Sequence, residues 1–184
     1  IELKEQAEDA ARSNSRLNAW VAITIALIAT FMGICKVKDD NIVQAMQQAQ
    51  AKSIDTWSYY QARNTQAKDA GIAADMMKLA ELQGQGPAKA FAAERAKHYA
   101  EESSRLDNEK KDRGEEAKGY DKTYDDLNYR DDQFDLADAL LAISISLFAV
   151  TSLTQKRWLY FVALVPTAFG ILMGVAGLFG LHIH

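Results

Sequence analysis

The 184-residue sequence holds a single cysteine and two prolines. One thiol cannot close an internal disulfide, so Cys35 reads as a small packing residue at a helix end. With proline only at 87 and 166, little stops a helix from running long. The sequence also lacks a phosphate-cradling glycine loop, a metalloprotease helix and a nucleophile with a base beside it. The chain is therefore expected to be non-enzymatic and to carry no cofactor and no metal. His98 stands alone between Lys97 and Tyr99 and reads as a solvated helix residue; His182 and His184 have no third ligand nearby and are not assigned as a metal site.

The most informative scarcity is that of charge in three windows. Ala19–Cys35 and Ala139–Gln155 carry none, and neither does Trp158–Leu181. At 1.5 Å per residue these windows make about 26, 26 and 36 Å of helix, against a bilayer core of about 30 Å. None shows the polar face expected of a buried core helix. The first two span once a residue or two at each end is added. The expected fold is an all-α membrane protein with transmembrane helices at 19–35, 136–155 and 158–181. The first, Ala19–Cys35, resembles a signal segment but has no small residue before Cys35 and no A-x-A step, so it is expected to be an uncleaved anchor.

Charge is concentrated in 1–18 and 36–135. Residues 1–18 space Leu3, Ala7, Ala10 and Leu17 at helical intervals among charges, which suits an interfacial helix with Arg12 and Arg16 among lipid headgroups. Residues 36–135 form an extramembrane insert. Its first arm carries Ile42, Met46, Ala49, Trp57, Tyr60 and Ala67 near one stripe, resumed after Gly71 by Ile72, Met76 and Leu79. Gly84-Gln85-Gly86-Pro87 punctuates the chain, ending one helix and starting the next. The returning arm repeats Leu106, Arg113, Tyr120, Leu127 and Phe134 every seven residues, with Ala117 and Tyr124 at the four-residue offset. The insert is thus predicted to be a long antiparallel, coiled-coil-like hairpin between the first and second membrane helices, with a break or kink between Gly114 and Gly119. Its seam is rich in Ala and Tyr and poor in Leu and Ile. Such a hairpin has little core of its own and is expected to pack against copies of itself or to fold back on itself at the glycines. Its acids outnumber its bases by 20 to 16, which excludes nucleic acid as a partner despite its tyrosines.

Trp20 and Trp158 open the first and third membrane helices beside Arg12, Arg16, Lys156 and Arg157. These anchors place that side in the cytoplasm by the positive-inside rule, although Lys36 and Lys38 border the other end of the first helix. The hairpin and the C-terminus then face the periplasm.

Two constellations are candidate sites. Asp131, Asp135 and Asp138 line one helix face where the second membrane helix begins, and Asp132 sits beside them. In an oligomer they would ring a pore mouth; alone they suit the headgroup boundary and pair with Lys36, Lys38 or Arg130. Gly170, Gly174 and Gly177 give the third helix a close-packing face, and Ala22, Ala26 and Gly33 give a weaker one to the first. Between subunits, that glycine face would build a homo-oligomer.

Three stretches, TIALIATFMGICKVKDDNIVQAMQQAQA, NYRDDQFDLADALLAISISL and TQKRWLYFVALV, resemble a bacterial membrane protein family known only as domain of unknown function 4337. The resemblance implies a bacterial inner-membrane protein and brings no activity, cofactor or catalytic residue. The leading functional expectation is a homo-oligomeric scaffold or assembly partner in the lipid bilayer. A cation channel or ion-driven stator-like unit using Asp135 and Asp138 is the second expectation. An accessory subunit gripping a membrane-complex partner is the third.

Overall fold

The computed structural model describes the backbone of residues 2–181 and the side chains from Arg12 to Leu181. His182 and His184, and the side chains of Leu3, Ala7 and Ala10, lie outside the described residues. Within them the protein is all-helical: α1 spans Glu2–Gln83, α2 Gly86–Thr154 and α3 Arg157–Phe179, with no strand. Each helix contains a stretch long and apolar enough to cross a membrane.

Local chemistry accounts for where the helices stop. Gly84 donates its N–H to the Ala80 carbonyl at 2.9 Å, and a Cβ there would lie 3.0 Å from that oxygen. Gly86 is left-handed at φ 59°, a conformation glycine adopts freely, and Pro87 takes the first turn of α2. The predicted break between Gly114 and Gly119 does not occur; α2 runs through both. Glycine in a helix costs about 1 kcal/mol relative to alanine, too little to stop a helix flanked by strong formers. α2 ends where Gln155 turns left-handed, at φ 56°, the one non-glycine residue with positive φ among those described. α3 ends in a Schellman turn, with Gly180 left-handed and the Leu181 N–H on the Ala176 carbonyl at 2.9 Å. Pro166 lies inside α3 without interrupting it.

The chain packs as two units, one formed by residues up to Ala45 with those from Asp126 onward, the other by Met46–Asp125. The first unit is built on Val21, Ile28, Leu141, Phe148 and Ala163, with Ile25, Phe31, Met32 and Tyr160 packed against them. Three hydroxyls of α2 are satisfied within that helix, Ser144 donating to the Leu140 carbonyl, Ser146 to Ala142 and Thr151 to Leu147, whereas Ser152 donates to Asn18 Oδ1 of α1 at 3.0 Å. Thr24 and Tyr160 join α1 to α3 through their hydroxyls at 3.0 Å.

In the second unit the α1 and α2 arms meet antiparallel. The Ser103 hydroxyl donates to the Ala67 carbonyl at 2.8 Å, Gly114 faces the Tyr60 ring, and Ser53 donates to the Asp121 carboxylate. The buried seam is Met46, Ala49, Ser53 and Ala67 against Ala92, Ala96, Leu106, Gly114 and Ala117. Ile72, Met76 and Leu79, expected to continue the stripe, point outward and are exposed. A backbone-close contact such as Ser103 to Ala67 leaves room only for small side chains, so the large ones turn away.

Candidate functional site

The acids read from the sequence separate when placed in the first unit. Asp135 and Asp138 are exposed, whereas Asp131 is half-buried and turned toward Asp39 of α1. Asp39, only 5% exposed, lies one helical turn beyond the buried Cys35. Lys36 donates to Asp39 Oδ2 at 2.8 Å and lies 3.5 Å from Asp40. Its ammonium is held charged, with the pKa pushed up to about 12 by the hydrogen bond and charge of Asp39. Asp39 Oδ1, in contrast, is buried with no donor. Burial, the hydrogen bond to Asp39, and the charges of Asp39, Asp135 and Asp132 push the Asp131 pKa up to about 6. Two ionised carboxylates side by side offer acceptors only, which explains the orphaned oxygen; a proton on Asp131 supplies the missing donor.

Sequence reasoning paired Arg130 with these acids, but the structure turns it elsewhere. Its guanidinium reaches the C-terminal end of α3, with Nη2 on the Gly177 carbonyl at 2.9 Å and Nε on the same oxygen at 3.2 Å. Gln133 Nε2 donates to the Leu181 carbonyl at 2.8 Å. Together they occupy carbonyls that a helix end leaves without partners, and the cation suits the negative end of the helix dipole. A basic residue aimed at a distant helix end has no local sequence signal, which is why this clamp was not foreseen.

The glycine face of α3 is occupied from within the chain. A Cβ at Gly170 would lie 2.8 Å from Leu141 Cγ, at Gly174 2.7 Å from Phe31 Cε1, and at Gly177 3.0 Å from Phe134 Cζ. The seat considered for a neighbouring subunit is filled by α1 and α2 of the same chain. On α1, Ala22, Ala26 and Gly33 are exposed, and Gly33 has nothing within 4 Å of a built Cβ. Of the predicted hairpin-seam residues, Ile42 and Phe134 are buried in the first unit and Leu127 is half-buried there. Met46 and Leu106 are buried in the second, with Trp57, Tyr60, Tyr120 and Tyr124 half-buried. Trp57 Nε1 and Ser53 both donate to Asp121, and these hydrogen bonds hold its carboxyl below the usual range.

Trp20, Lys156, Arg157 and Trp158 are exposed. Arg157 contacts the Ser13 hydroxyl, and with Arg16, Leu17, Trp20, Tyr160 and Phe161 these residues line a cleft of about 530 Å3. No group of three or more His, Cys, Asp or Glu side chains able to hold a metal ion occurs among the described residues.

The fold and these sites define an all-helical protein with three long apolar helices and a polar helical pair. The family model described as Domain of unknown function (DUF4337) matches residues 17–180, and the chain belongs to that family. No curated protein and no solved structure matches it.

Proposed function

We propose that the chain is a non-enzymatic inner-membrane protein whose paired arms, outside the bilayer, assemble with those of further copies to form a scaffold. The observation that carries this reading is an inversion in the arms. Their seam is lined largely by alanine, serine and glycine, while Ile72, Met76, Leu79, Leu82 and Phe91 are more than half exposed. Large apolar side chains left outside on a polar helical pair mark a surface with a partner. The three apolar stretches supply the anchor. The basic and aromatic residues around Arg16, Trp20 and Arg157 support a cytoplasmic placement of that end and a periplasmic placement of the arms.

Native mass spectrometry of protein released gently from its own membranes tests the proposal. A closed homo-oligomer that dissociates in Ile72→Glu/Met76→Glu supports it. A single copy bound to a different protein would replace it with an accessory subunit. Exposure of Asp135 and Asp138 favours one second reading, a cation path lined by these acids in an oligomer. Flux into liposomes that survives Asp135→Asn/Asp138→Asn would remove both residues from such a path.

A further inference from the structure

The cleft beside the start of α3 is basic in a chain whose formal charge is −4. On the arms and at the end of α3 the arginines are engaged. Arg63 pairs with Glu109, Arg105 with Glu102 and Glu109, and Arg113 with Glu116; Arg95 lies over the Phe91 and Tyr99 rings, and Arg130 is on α3 carbonyls. Arg16 and Arg157 are different. Neither has a carboxylate within ion-pair distance among the described residues, yet both line one cleft and Arg157 also touches the Ser13 hydroxyl. Two guanidiniums that share one cleft repel unless an anion joins them, and the planar fork of arginine matches phosphate oxygens.

The helix that begins there adds to this field. Lys156, at the N-cap of α3, makes no side-chain cap, so first-turn N–H groups of a 23-residue helix are left without a side-chain acceptor. The rest of the lining is apolar and aromatic. Trp20 and Phe161 are 64% and 68% exposed, and Tyr160 has its hydroxyl anchored on Thr24. A free phosphate has no use for exposed indole and phenyl rings, whereas a phospholipid brings acyl chains to cover them.

We propose that this cleft binds the phosphate of an anionic phospholipid headgroup, held by Arg16, Arg157 and Ser13, with the acyl chains lying over Trp20 and Phe161. A volume of about 530 Å3 accommodates a headgroup and glycerol. The proposal rests on the membrane reading above. Basic recesses at helix ends on the cytoplasmic side are suited to such lipids, because attraction to the anionic headgroup adds to burial of the chains.

The test is native mass spectrometry of the full chain in detergent, titrated separately with phosphatidylglycerol, phosphatidylcholine and inorganic phosphate. The wild type is expected to retain phosphatidylglycerol over phosphatidylcholine. Arg16→Gln/Arg157→Gln should weaken that retention about fivefold per arginine, on the order of twenty-five-fold together, with unchanged helicity by circular dichroism. Arg95→Gln/Lys97→Gln, on the arms, should leave it intact. Equal retention of the two lipids, or retention unaffected by the double substitution, would overturn the site. Displacement of phosphatidylglycerol by inorganic phosphate at equal concentration would make it a free-anion site and overturn the lipid assignment. Failure of the membrane reading shows separately, as protein extracted from membranes by alkaline carbonate without detergent.

Discussion

The two units handle glycine and bulk in opposite ways. In the first, glycines of α3 are pits into which Leu141, Phe31 and Phe134 fit, and the fully buried side chains include the large Phe148 and Leu141. In the second, most buried residues are small and the large apolar ones are outside. Close helix approach is common to both; what fills the space differs. Where there is no hydrophobic drive between helices, as in lipid, interlocking of side chains with backbone is the available source of cohesion. In water, a thin alanine seam leaves apolar surface over, and that surface must find a partner or stay wet. The contrast supports the proposed arrangement, with the apolar stretches of the first unit in lipid and the second unit in water.

Substitutions that test the interlocking should have the largest effects. Phe148→Ala empties a wholly buried site and is expected to cost about 3 kcal/mol of first-unit stability, read from thermal unfolding in nanodiscs. Gly174→Ala comes next. Its Cβ would sit 2.7 Å from a ring carbon of Phe31 and 3.1 Å from Cys35 Sγ, so the Phe31 ring or the helices must shift. Overpacking of this kind costs about 1–3 kcal/mol. Gly33→Ala, facing open space on α1, is the matched control and should be neutral to slightly stabilising. Equal effects at the two positions would dissolve the comparison.

Much of this was legible in sequence, and the limits are instructive. The charge-free windows mark the apolar stretches because length and composition are local properties. The spacing of Gly170, Gly174 and Gly177 announces a packing face but not its occupant, since Phe31, Leu141 and Phe134 lie far away in the chain. The same holds for Asp131. Its helical spacing with Asp135 and Asp138 suggests one acidic face, yet its neighbour is Asp39, more than ninety residues earlier. The stripe Ile72, Met76, Leu79 has the period of a seam, yet all three side chains are exposed. Periodicity identifies a face without saying which way it looks, and the small residues on the opposite face decided the outcome.

The carboxyl pair gives a smaller, pH-dependent effect. In the folded protein Asp131 holds its proton up to about pH 6, against an ordinary value of 3.8, so folding is favoured where it is protonated. That contribution is complete below about pH 4 and is lost as pH rises through about 6. Thermal unfolding of the wild type should therefore shift downward across this window. Asp131→Asn should flatten the dependence and unfold later than wild type above pH 6, because its amide can donate to the orphaned Asp39 Oδ1. Unfolding midpoints of the wild type that do not change between about pH 4 and pH 7 would show that the pair does not titrate there.

The smallest effect has the opposite sign to Gly174→Ala, although the chemistry of the substitution is the same. Gly119 lies in the second unit inside α2, and a Cβ built on it meets nothing within 4 Å. Alanine there removes backbone freedom from the unfolded chain at no steric cost, which should stabilise the arms by about 0.5–1 kcal/mol. Gly114→Ala is the intermediate case. Its Cβ would approach the Tyr60 ring at 3.3 Å, and that half-buried side chain can give by a few tenths of an ångström, so a gain smaller than that of Gly119→Ala is expected. Urea unfolding followed by helicity would rank the three alanine substitutions. The order Gly119, Gly114, Gly174 from most to least stable supports a close-packed first unit and a loosely filled second. Equal gains at all three positions would mean that helix propensity, not the space beside each glycine, governs both units.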